Sequence, residues 1–334
     1  MNKSKPVIGI TMGDAAGVGP EIIVKALAHS KIYDWCQPVV IGEKKVLERA
    51  MPLVKSELAL EVLNESSDWT EAGQAGTISL VDVSYPMAPP EFGQLSAEAG
   101  DAAYRCVKKA VELGLAGKIG AICTAPLNKE ALHLGGHLYP GHTELLAHLM
   151  DVKDYAMMLA APKLRVIHAT THVGLKDAID RLSPQRILRV IQLADDLLRK
   201  SGITSPRIAV CGINPHAGEN GLFGNGEEGE KIVPAIQEAV AAGINATGPY
   251  PADTVFFRAV RGDFDCVVAM YHDQGHIPIK VLGMEEGVNI SVGMPLVRTS
   301  VDHGTAFDIA GTGIADESSL IEAIRQAAAL VPHS

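Results

Sequence analysis

The chain has 334 residues, of which 47% are hydrophobic and 20% charged, so it can bury a large core and is not a mainly disordered protein. A formal net charge of −10 and an aromatic content of 4% argue against nucleic-acid binding, which favours basic faces and aromatic stacking. Neither a signal-peptide core nor an apolar run of about 20 residues occurs, so we expect a cytoplasmic protein with no membrane partner. Five cysteines without CxxC spacing predict buried thiols rather than disulfides or a cysteine zinc site.

Short β-branched runs alternate with longer helical stretches, which is typical of α/β proteins with mostly parallel strands. Strands are predicted at Val7–Thr11, Pro38–Ile41, Gly76–Val81, Ala121–Thr124, Tyr155–Ala160, Arg165–Thr170, Arg207–Ile213, Cys266–Tyr271 and Val288–Val292. Helices are predicted at Pro20–Ala28, Ala97–Ala116, Ser183–Lys200, Glu230–Ala242 and Glu317–Leu330, with another that begins near Thr143. The Gly-rich, acidic segment Gly218–Glu228 is predicted to be a solvated loop, with a mobile lid as the alternative.

Three histidines each follow an apolar run that is predicted to be a strand. His172 follows LRVIHATT, His216 follows RIAVCGINP, and His272 ends CVVAMYH. Each separation leaves room for a strand–helix–strand crossover, so these strands are expected to be neighbours whose carboxyl ends share one edge. Three imidazoles at that edge predict a divalent-metal site, with hydrogen-bonded loop histidines as the alternative. Asp273 is a neighbouring carboxylate that could orient His272.

Two histidine pairs have the i,i+4 spacing of helical zinc proteases. His168 of the first pair lies in a β-branched run, and Gly275 interrupts the pair His272/His276. We therefore do not expect either pair to form a helical zinc site.

Several polar residues suit an anionic ligand. His142 and Thr143 lie where a glycine turn leads into a helix, whose free backbone amides attract anions. A lysine, an arginine and an amide further along the chain suit phosphate or carboxylate recognition. The alternative is that each of these is an ordinary surface or capping residue. The candidates are Lys129, His142, Thr143, Lys280, Asn289 and Arg298.

The glycine-rich segment at residues 11–22, TMGDAAGVGPEI, superficially resembles a dinucleotide-binding loop. It is not GxGxxG, so a tight turn between a strand and a helix is the alternative.

A series of blocks along nearly the whole chain resembles the 4-hydroxythreonine-4-phosphate dehydrogenase family. They are TMGD with GVGPE, TAPLNKEAL, YPGHTELL, TTHVGL, NPHAGENGLFG, ADTVF, YHDQGHIPIK, GVNISVG and RTSVDHGTAFDIAG. Two blocks, Gly17–Glu21 and His303–Gly313, also resemble the wider isocitrate/isopropylmalate dehydrogenase group.

The resemblance implies two α/β/α domains flanking a cleft, as in that wider group. Residues 1–130 with 281–334 would form the domain on the nucleotide side, and residues 131–280 the domain on the metal, substrate and dimer side. It also implies NAD, a divalent cation (Zn, Mn, Co or Mg) and a homodimer whose active site uses residues of both subunits.

Carried over residue by residue, the resemblance assigns three sets of ligands. It makes His172, His216 and His272 the metal ligands. It makes His142, Thr143, Lys280, Asn289 and Arg298 substrate contacts. It places Asp302, His303, Gly304, Thr305 and Asp308 along the nucleotide. Asp253, Asp273 and Lys129 are candidate bases or groups that orient the ligands.

The family's reaction is an NAD-dependent oxidation followed by decarboxylation of a 4-phosphorylated 3-hydroxy acid. This chain looks closer to a sister branch that acts on 4-phospho-D-threonate or 4-phospho-D-erythronate and forms dihydroxyacetone phosphate. The main pointer is His276, where we expect an apolar residue in the branch that oxidises 4-phosphohydroxy-L-threonine for pyridoxal phosphate (vitamin B6) synthesis. That biosynthetic activity is the alternative.

Two other classes of function could use the same residues. In a metal-dependent hydrolase the three histidines would activate water, although no clear base stands beside a histidine motif. In a binding module the polar residues would hold a phosphorylated ligand without catalysis. Formation of NADH separates the dehydrogenase from both.

Overall fold

The computed structural model of the chain describes residues 5–66, 69, 72–84, 88–283 and 287–331. The chain forms two compact α/β units, one of residues 1–153 with 294–334 and the other of residues 154–293. The α/β class predicted from the sequence is confirmed. The domain boundaries expected at residues 130 and 280 fall earlier in the chain than the boundaries between these units.

The first unit is built on a parallel sheet, with strands and helices numbered here along the chain. Its strands are β1 (Val7–Thr11), β2 (Gln37–Gly42), β3 (Ala59–Val62), β4 (Thr77–Asp82), β5 (Ala121–Thr124) and β12 (Val297–Val301). Its helices are α1 (Gly19–Leu27), α2 (Ile32–Trp35), α3 (Lys44–Leu53), α4 (Ala97–Leu115), α5 (Lys129–Leu134), α6 (His142–Leu149) and α12 (Ser318–Leu330). In the strand order β3-β4-β2-β1-β5-β12, the strands that follow β1 in the chain are first added on one side of β1, and β5 and β12 are then added on its other side. The position between β1 and β5 is therefore a topological switch point, where open α/β sheets bind ligands.

The second unit has a mixed sheet in the order β11-β6-β7-β10-β8-β9. Its strands are β6 (Ala156–Ala161), β7 (Leu164–His168), β8 (Ile208–Cys211), β9 (Ala246–Tyr250), β10 (Cys266–Ala269) and β11 (Val288–Val292). Its helices are α7 (Leu175–Arg181), α8 (Pro184–Lys200), α9 (Val233–Ala241), α10 (Ala252–Val260) and α11 (His272–Leu282). Strand β6 runs antiparallel to both neighbours, whereas β7, β10 and β8 are adjacent and parallel. The strands that precede the three predicted metal ligands are therefore neighbours, as expected.

Local signals explain where several helices begin. The Ser183 hydroxyl accepts a hydrogen bond from the amide of Arg186 at 3.2 Å, and Pro184 occupies the first turn of α8. Ser96 caps α4 in the same way through the amide of Ala99 at 3.1 Å. The inner faces of these helices then pack on their sheets with residues such as Val190 and Cys106, both fully buried.

Some predicted elements differ from the structure. Strands β3, β9 and β12 were not predicted, and the run from Cys266 ends as a strand at Ala269. The expectation that Gly275 interrupts the pair His272/His276 is wrong, because both histidines lie on α11. In the predicted solvated loop, residues 218–227 are mostly exposed, but Glu228 is buried and begins a helical turn.

All five cysteines are free and buried, as predicted: Cys36, Cys106, Cys123, Cys211 and Cys266. Burial raises the pKa of the Cys36, Cys123 and Cys266 thiols to about 12. In the described part of the chain, no helix has the length and apolar character needed to cross a membrane.

Candidate active site

Two of the predicted metal ligands lie side by side in the second unit. The ring centroids of His172 and His272 are 5.6 Å apart. Two imidazoles that share a tetrahedral cation with metal–nitrogen distances of 2.0–2.1 Å would have ring centres roughly 5 Å apart, so this pair fits a common metal. His272 Nδ1 also lies 2.7 Å from Asp273 Oδ1. A carboxylate on one ring nitrogen leaves the other available as a ligand, which is the usual support for a metal-bound imidazole.

The third predicted ligand, His216, follows β8 in a separate turn. Its ring lies 6.0 Å from that of Phe223, centroid to centroid. Among the described residues of one chain, no three His, Cys, Asp or Glu side chains form a group that could hold a metal ion. The structure thus brings together two of the three predicted ligands, and the three-histidine site stays a prediction.

Two further histidines pack next to His272. His276 stacks on it with ring centroids 3.6 Å apart, and His168 lies 4.7 Å behind His276. His168 is fully buried, and burial together with the nearby histidines lowers its pKa to about 3. Gly275 makes this packing possible, since a Cβ added there would lie 2.3 Å from His168 Nε2.

In the first unit, Arg298 forms a buried positive centre. It lies on β12 with 3% exposure, and its Nε and Nη2 donate to Thr124 Oγ1 at 3.1 and 2.8 Å. Burial lowers the pKa of Arg298 to about 10, so the guanidinium is still charged at neutral pH. A buried cation of this kind is a strong attractor for a phosphate or carboxylate.

His142 lies at the start of α6, close enough for the positive charge of Arg298 to affect it. Burial, reinforced by the charges of Arg298 and Lys129, lowers the pKa of His142 well below its usual value, so the imidazole is neutral. Its Nε2 atom is buried and has no hydrogen-bond partner among the described residues. Such an unpaired buried atom costs roughly 1–3 kcal/mol unless a ligand or water satisfies it.

The N-terminus of α6 has the features expected of an anion site. Gly141 precedes the helix, no side chain caps it, and Thr143 lies in the first turn. Lys129 begins α5, and its Cε would lie 3.7 Å from a Cβ at Gly141. The residues predicted to bind an anion in this unit are therefore close in space.

The remaining two substrate candidates belong to the second unit. Lys280 lies in the last turn of α11 and is half-buried. Asn289 lies on β11, where its Nδ2 contacts Met157 Sδ at 3.1 Å. Its Oδ1 is buried without a hydrogen-bond partner among the described residues, as is Nε2 of His142.

The loop after β1 lies at the switch point of the first sheet and carries a buried acid. Gly13 has φ +76°, and a Cβ there would lie 2.3 Å from the carbonyl oxygen of Pro126, so only glycine fits. Asp14 Oδ1 accepts the amide of Ala16 at 2.8 Å, while Oδ2 is buried without a described partner. Burial raises the pKa of Asp14 to about 6, against the opposing effect of its backbone hydrogen bonds.

The predicted nucleotide segment is attached directly to α1. The Val18 amide donates to the Thr305 carbonyl at 3.0 Å. The fully buried Glu21 carboxylate accepts the amides of Gly311 and Gly313, the second at 2.9 Å. The two blocks that resemble the wider dehydrogenase group are thus two halves of one hydrogen-bonded structure. Of the predicted cofactor residues, His303, Gly304 and Asp308 are exposed, and Asp302 and Thr305 are half-buried.

Some of the other residues near the site could be recognised from the sequence, and others could not. Asp253, a candidate base, is exposed in the first turn of α10. Sequence reasoning missed Glu21 and Glu228, whose carboxylates bind mainly backbone amides, a role that no spacing in the sequence reveals. It also missed Thr124, because a strand-end threonine carries no signal until its partner Arg298 is known.

Comparison with known proteins gives consistent matches. The family described as "Pyridoxal phosphate biosynthetic protein PdxA" matches residues 34–327. The chain is 59% identical over 330 residues to D-threonate 4-phosphate dehydrogenase of Cupriavidus necator, covering 99% of this chain and 98% of the relative. It is 47% identical over 329 residues to 4-hydroxythreonine-4-phosphate dehydrogenase of Desulfosudis oleivorans, covering 97% and 95%. A crystal structure of a 4-hydroxythreonine-4-phosphate dehydrogenase from Burkholderia phymatum superposes with a TM-score of 0.91 at 60% identity, covering 99% of each chain.

Proposed function

The chain belongs to the PdxA family, and on that premise we propose that it is an NAD- and divalent-metal-dependent oxidoreductase acting on a 4-phosphorylated 3-hydroxy acid. The substrate is 4-phospho-D-threonate or 4-phospho-D-erythronate. Oxidation at C3 and loss of the carboxyl group give dihydroxyacetone phosphate, carbon dioxide and NADH. The enzyme works as a homodimer in which both subunits contribute to each active site.

One observation carries this proposal. Two of the five predicted substrate residues, His142 and Asn289, each hold a buried polar atom that has no partner among the described residues. Native proteins leave few buried polar groups unpaired, because each costs free energy. His142 and Asn289 are each half-buried, and a polar ligand bound at either residue would satisfy its unpaired atom.

The chain's own residues bind and orient the substrate. Arg298 supplies a buried positive charge, and Thr124 fixes its guanidinium through two hydrogen bonds. Neutral His142 adds a hydrogen bond without a second charge, and the uncapped amides of α6 add a further anion-binding group. Holding an acidic substrate at several points limits its motion and fixes the hydroxyl for reaction.

His172, His216 and His272 would hold the cation, with Asp273 orienting His272 and the homodimer completing the site. A bound divalent cation makes the substrate hydroxyl more acidic and stabilises the negative charge that develops as carbon dioxide leaves. Residues 302–308 would hold NAD, which would supply the hydride acceptor for the oxidation.

The substrate assignment rests on the relatives and on one residue. The Cupriavidus relative named for D-threonate 4-phosphate is 59% identical, and the Desulfosudis relative named for 4-hydroxythreonine 4-phosphate is 47% identical. His276 is the residue by which we separate the two branches. Oxidation of 4-phosphohydroxy-L-threonine is the second candidate, since the similar Burkholderia structure carries that name.

A direct assay tests the proposal. Purified protein is incubated with NAD, each of zinc, manganese, cobalt and magnesium, and each of the three phosphorylated acids, and NADH is followed by absorbance. We expect NADH with the two sugar acids and less with 4-phosphohydroxy-L-threonine. Turnover that needs no nicotinamide would identify a hydrolase, and tight binding without turnover would identify a binding module.

A further inference from the structure

His216 lies in a stretch of backbone that L-residues rarely adopt. Residues 216–220 all have positive φ, with values of 53°, 54°, 80°, 39° and 55°. Only Gly218 among them is glycine, and a left-handed conformation costs other residues roughly 1–2 kcal/mol each, somewhat less for asparagine. Such a turn persists only when its surroundings fix it, and strain of this kind concentrates at functional sites.

Glu228 binds the backbone just before this turn. Its Oε1 accepts the backbone amides of Ile213 and Asn214 at 2.8 and 2.7 Å. Its Oε2 accepts the side-chain amide of Asn214 at 2.9 Å. Each hydrogen bond to an ionised carboxylate is about twice as strong as a hydrogen bond between neutral groups. Together these three bonds set the direction in which the chain leaves β8.

The same carboxylate also lies against the inside of the turn. A Cβ added at Gly218 would lie 2.8 Å from Glu228 Oε2, and one at Gly212 would lie 3.3 Å from Oε1. Glu228 is only 7% exposed, and although burial opposes ionisation, the bonds from Asn214 and Ile213 hold its pKa below the usual value. The carboxylate is therefore an internal support around which residues 212–218 fold.

We propose that Glu228 is a positioning residue for His216: it binds the chain just before the left-handed turn, lies against Gly218 within it, and so holds the imidazole where a metal can use it. This rests on the proposed function for the role of His216 and adds a residue to it. Glu228 itself touches neither metal nor substrate. The sequence alone would place it at the end of a solvated loop.

Zinc binding without substrate or NAD tests the role of Glu228. The full-length variants are Glu228→Ala, Glu228→Gln and, as a matched control, Glu230→Ala, which removes an exposed carboxylate two residues along. Zinc affinity is measured by competition with a chromophoric chelator at a temperature where every variant is folded. Amide hydrogen exchange over residues 213–221 is measured on the same samples.

We expect Glu228→Ala to weaken zinc binding by about 10- to 100-fold, the usual effect of removing a group that orients a ligand, and to speed exchange at Ile213 and Asn214. Glu228→Gln keeps an oxygen for the two backbone amides and should recover part of the zinc affinity. This variant also keeps the test valid if Glu228→Ala does not fold. Glu230→Ala should match the wild type. A lower melting temperature with unchanged zinc affinity would show a merely structural role and overturn the proposal.

His216→Ala separates this inference from the proposed function. If His216→Ala weakens zinc binding while Glu228→Ala and Glu228→Gln do not, the metal site stands and the positioning role is wrong. If His216→Ala leaves zinc affinity unchanged, His216 is not a ligand, and both the predicted metal site and the positioning role fail.

Discussion

The imidazole of His276 stacks on that of His272, with ring planes 13° apart and centroids 3.6 Å apart. The two residues are one helical turn apart on α11, and His276 Nδ1 also lies 3.0 Å from the His272 carbonyl oxygen. One face of a predicted metal ligand is thus covered by the residue that we use to tell the substrate branches apart. His276 can therefore influence the reaction by packing against a residue that is predicted to hold the metal.

His276→Leu should change the preference among the three candidate substrates. Stacked aromatic pairs contribute about 0.5–1.5 kcal/mol beyond burial, so kcat/KM for 4-phospho-D-threonate should fall by up to about tenfold relative to 4-phosphohydroxy-L-threonine. NADH formation with each substrate measures this, and His29→Leu, a substitution at a half-exposed surface histidine, is the control. An unchanged preference would mean that His276 has no role in substrate choice.

Glu21→Gln should loosen the predicted nucleotide segment. Glutamine offers one acceptor oxygen where Glu21 now serves two amides, so the amide of Gly311 or Gly313 is left unpaired at a cost of roughly 1–3 kcal/mol. We expect lower stability in urea and a KM for NAD that rises more than kcat changes. The exposed Glu48→Gln should leave both values unchanged. A normal KM for NAD in a destabilised variant would show that the segment does not contact the nucleotide.

Gly275→Ala should destabilise the second unit. The new Cβ would lie 2.3 Å from His168 Nε2 and 2.8 Å from Val166 Cγ1, and overpacking of a buried site typically costs 1–3 kcal/mol. Urea unfolding measures the loss. The double variant His168→Ala/Gly275→Ala should lose less than the two single variants together, because the clash is relieved. Gly229→Ala, where a Cβ would meet nothing within 4 Å, is the control.

Asp14→Asn should remove a pH dependence of stability. Because burial raises the pKa of Asp14 from 3.8 to about 6, the folded state holds this proton more tightly than the unfolded state does. The stabilising contribution of the Asp14 proton to the free energy of unfolding is fully present below about pH 4 and is lost as the pH rises to about 6. Above that pH, the effect of Asp14 on stability no longer changes. Relative to wild type, Asp14→Asn should therefore gain up to about 3 kcal/mol between pH 4 and 7, measured by urea unfolding. The exposed Asp34→Asn should show no such gain; equal behaviour of the two variants would contradict the burial argument.

The sequence predicted the strands whose apolar residues run together or alternate with polar ones. The bounds of β1, β5 and β11 agree with the structure. Strand β12 was missed because Arg298 and its polar neighbours interrupt the apolar pattern in the middle of a buried strand. Helix α11 was missed because Gly275 and Pro278 disfavour helix, although packing against the sheet outweighs that preference. In these two elements local propensity failed where the chain carries residues of the candidate site.

The candidate site could be predicted only where a residue type and its position both carry information. Three histidines after three strands gave the neighbouring strands β7, β10 and β8, and two of the rings do lie together. The left-handed turn at His216 could not be predicted, because it depends on Glu228, a residue with no distinctive spacing. A carboxylate that positions the backbone in this way can be recognised only when the positions of the backbone amides are known.

The buried cysteines give the protein an intrinsic reporter of unfolding. Since all five thiols are shielded and burial raises the pKa of Cys36, for example, to about 12, a disulfide reagent such as Ellman's will not label the native enzyme at neutral pH. The cysteines are distributed over both units, with Cys211 and Cys266 in the second. The rate at which each sulfur becomes reactive will therefore show which unit opens first, without any added label or engineered site.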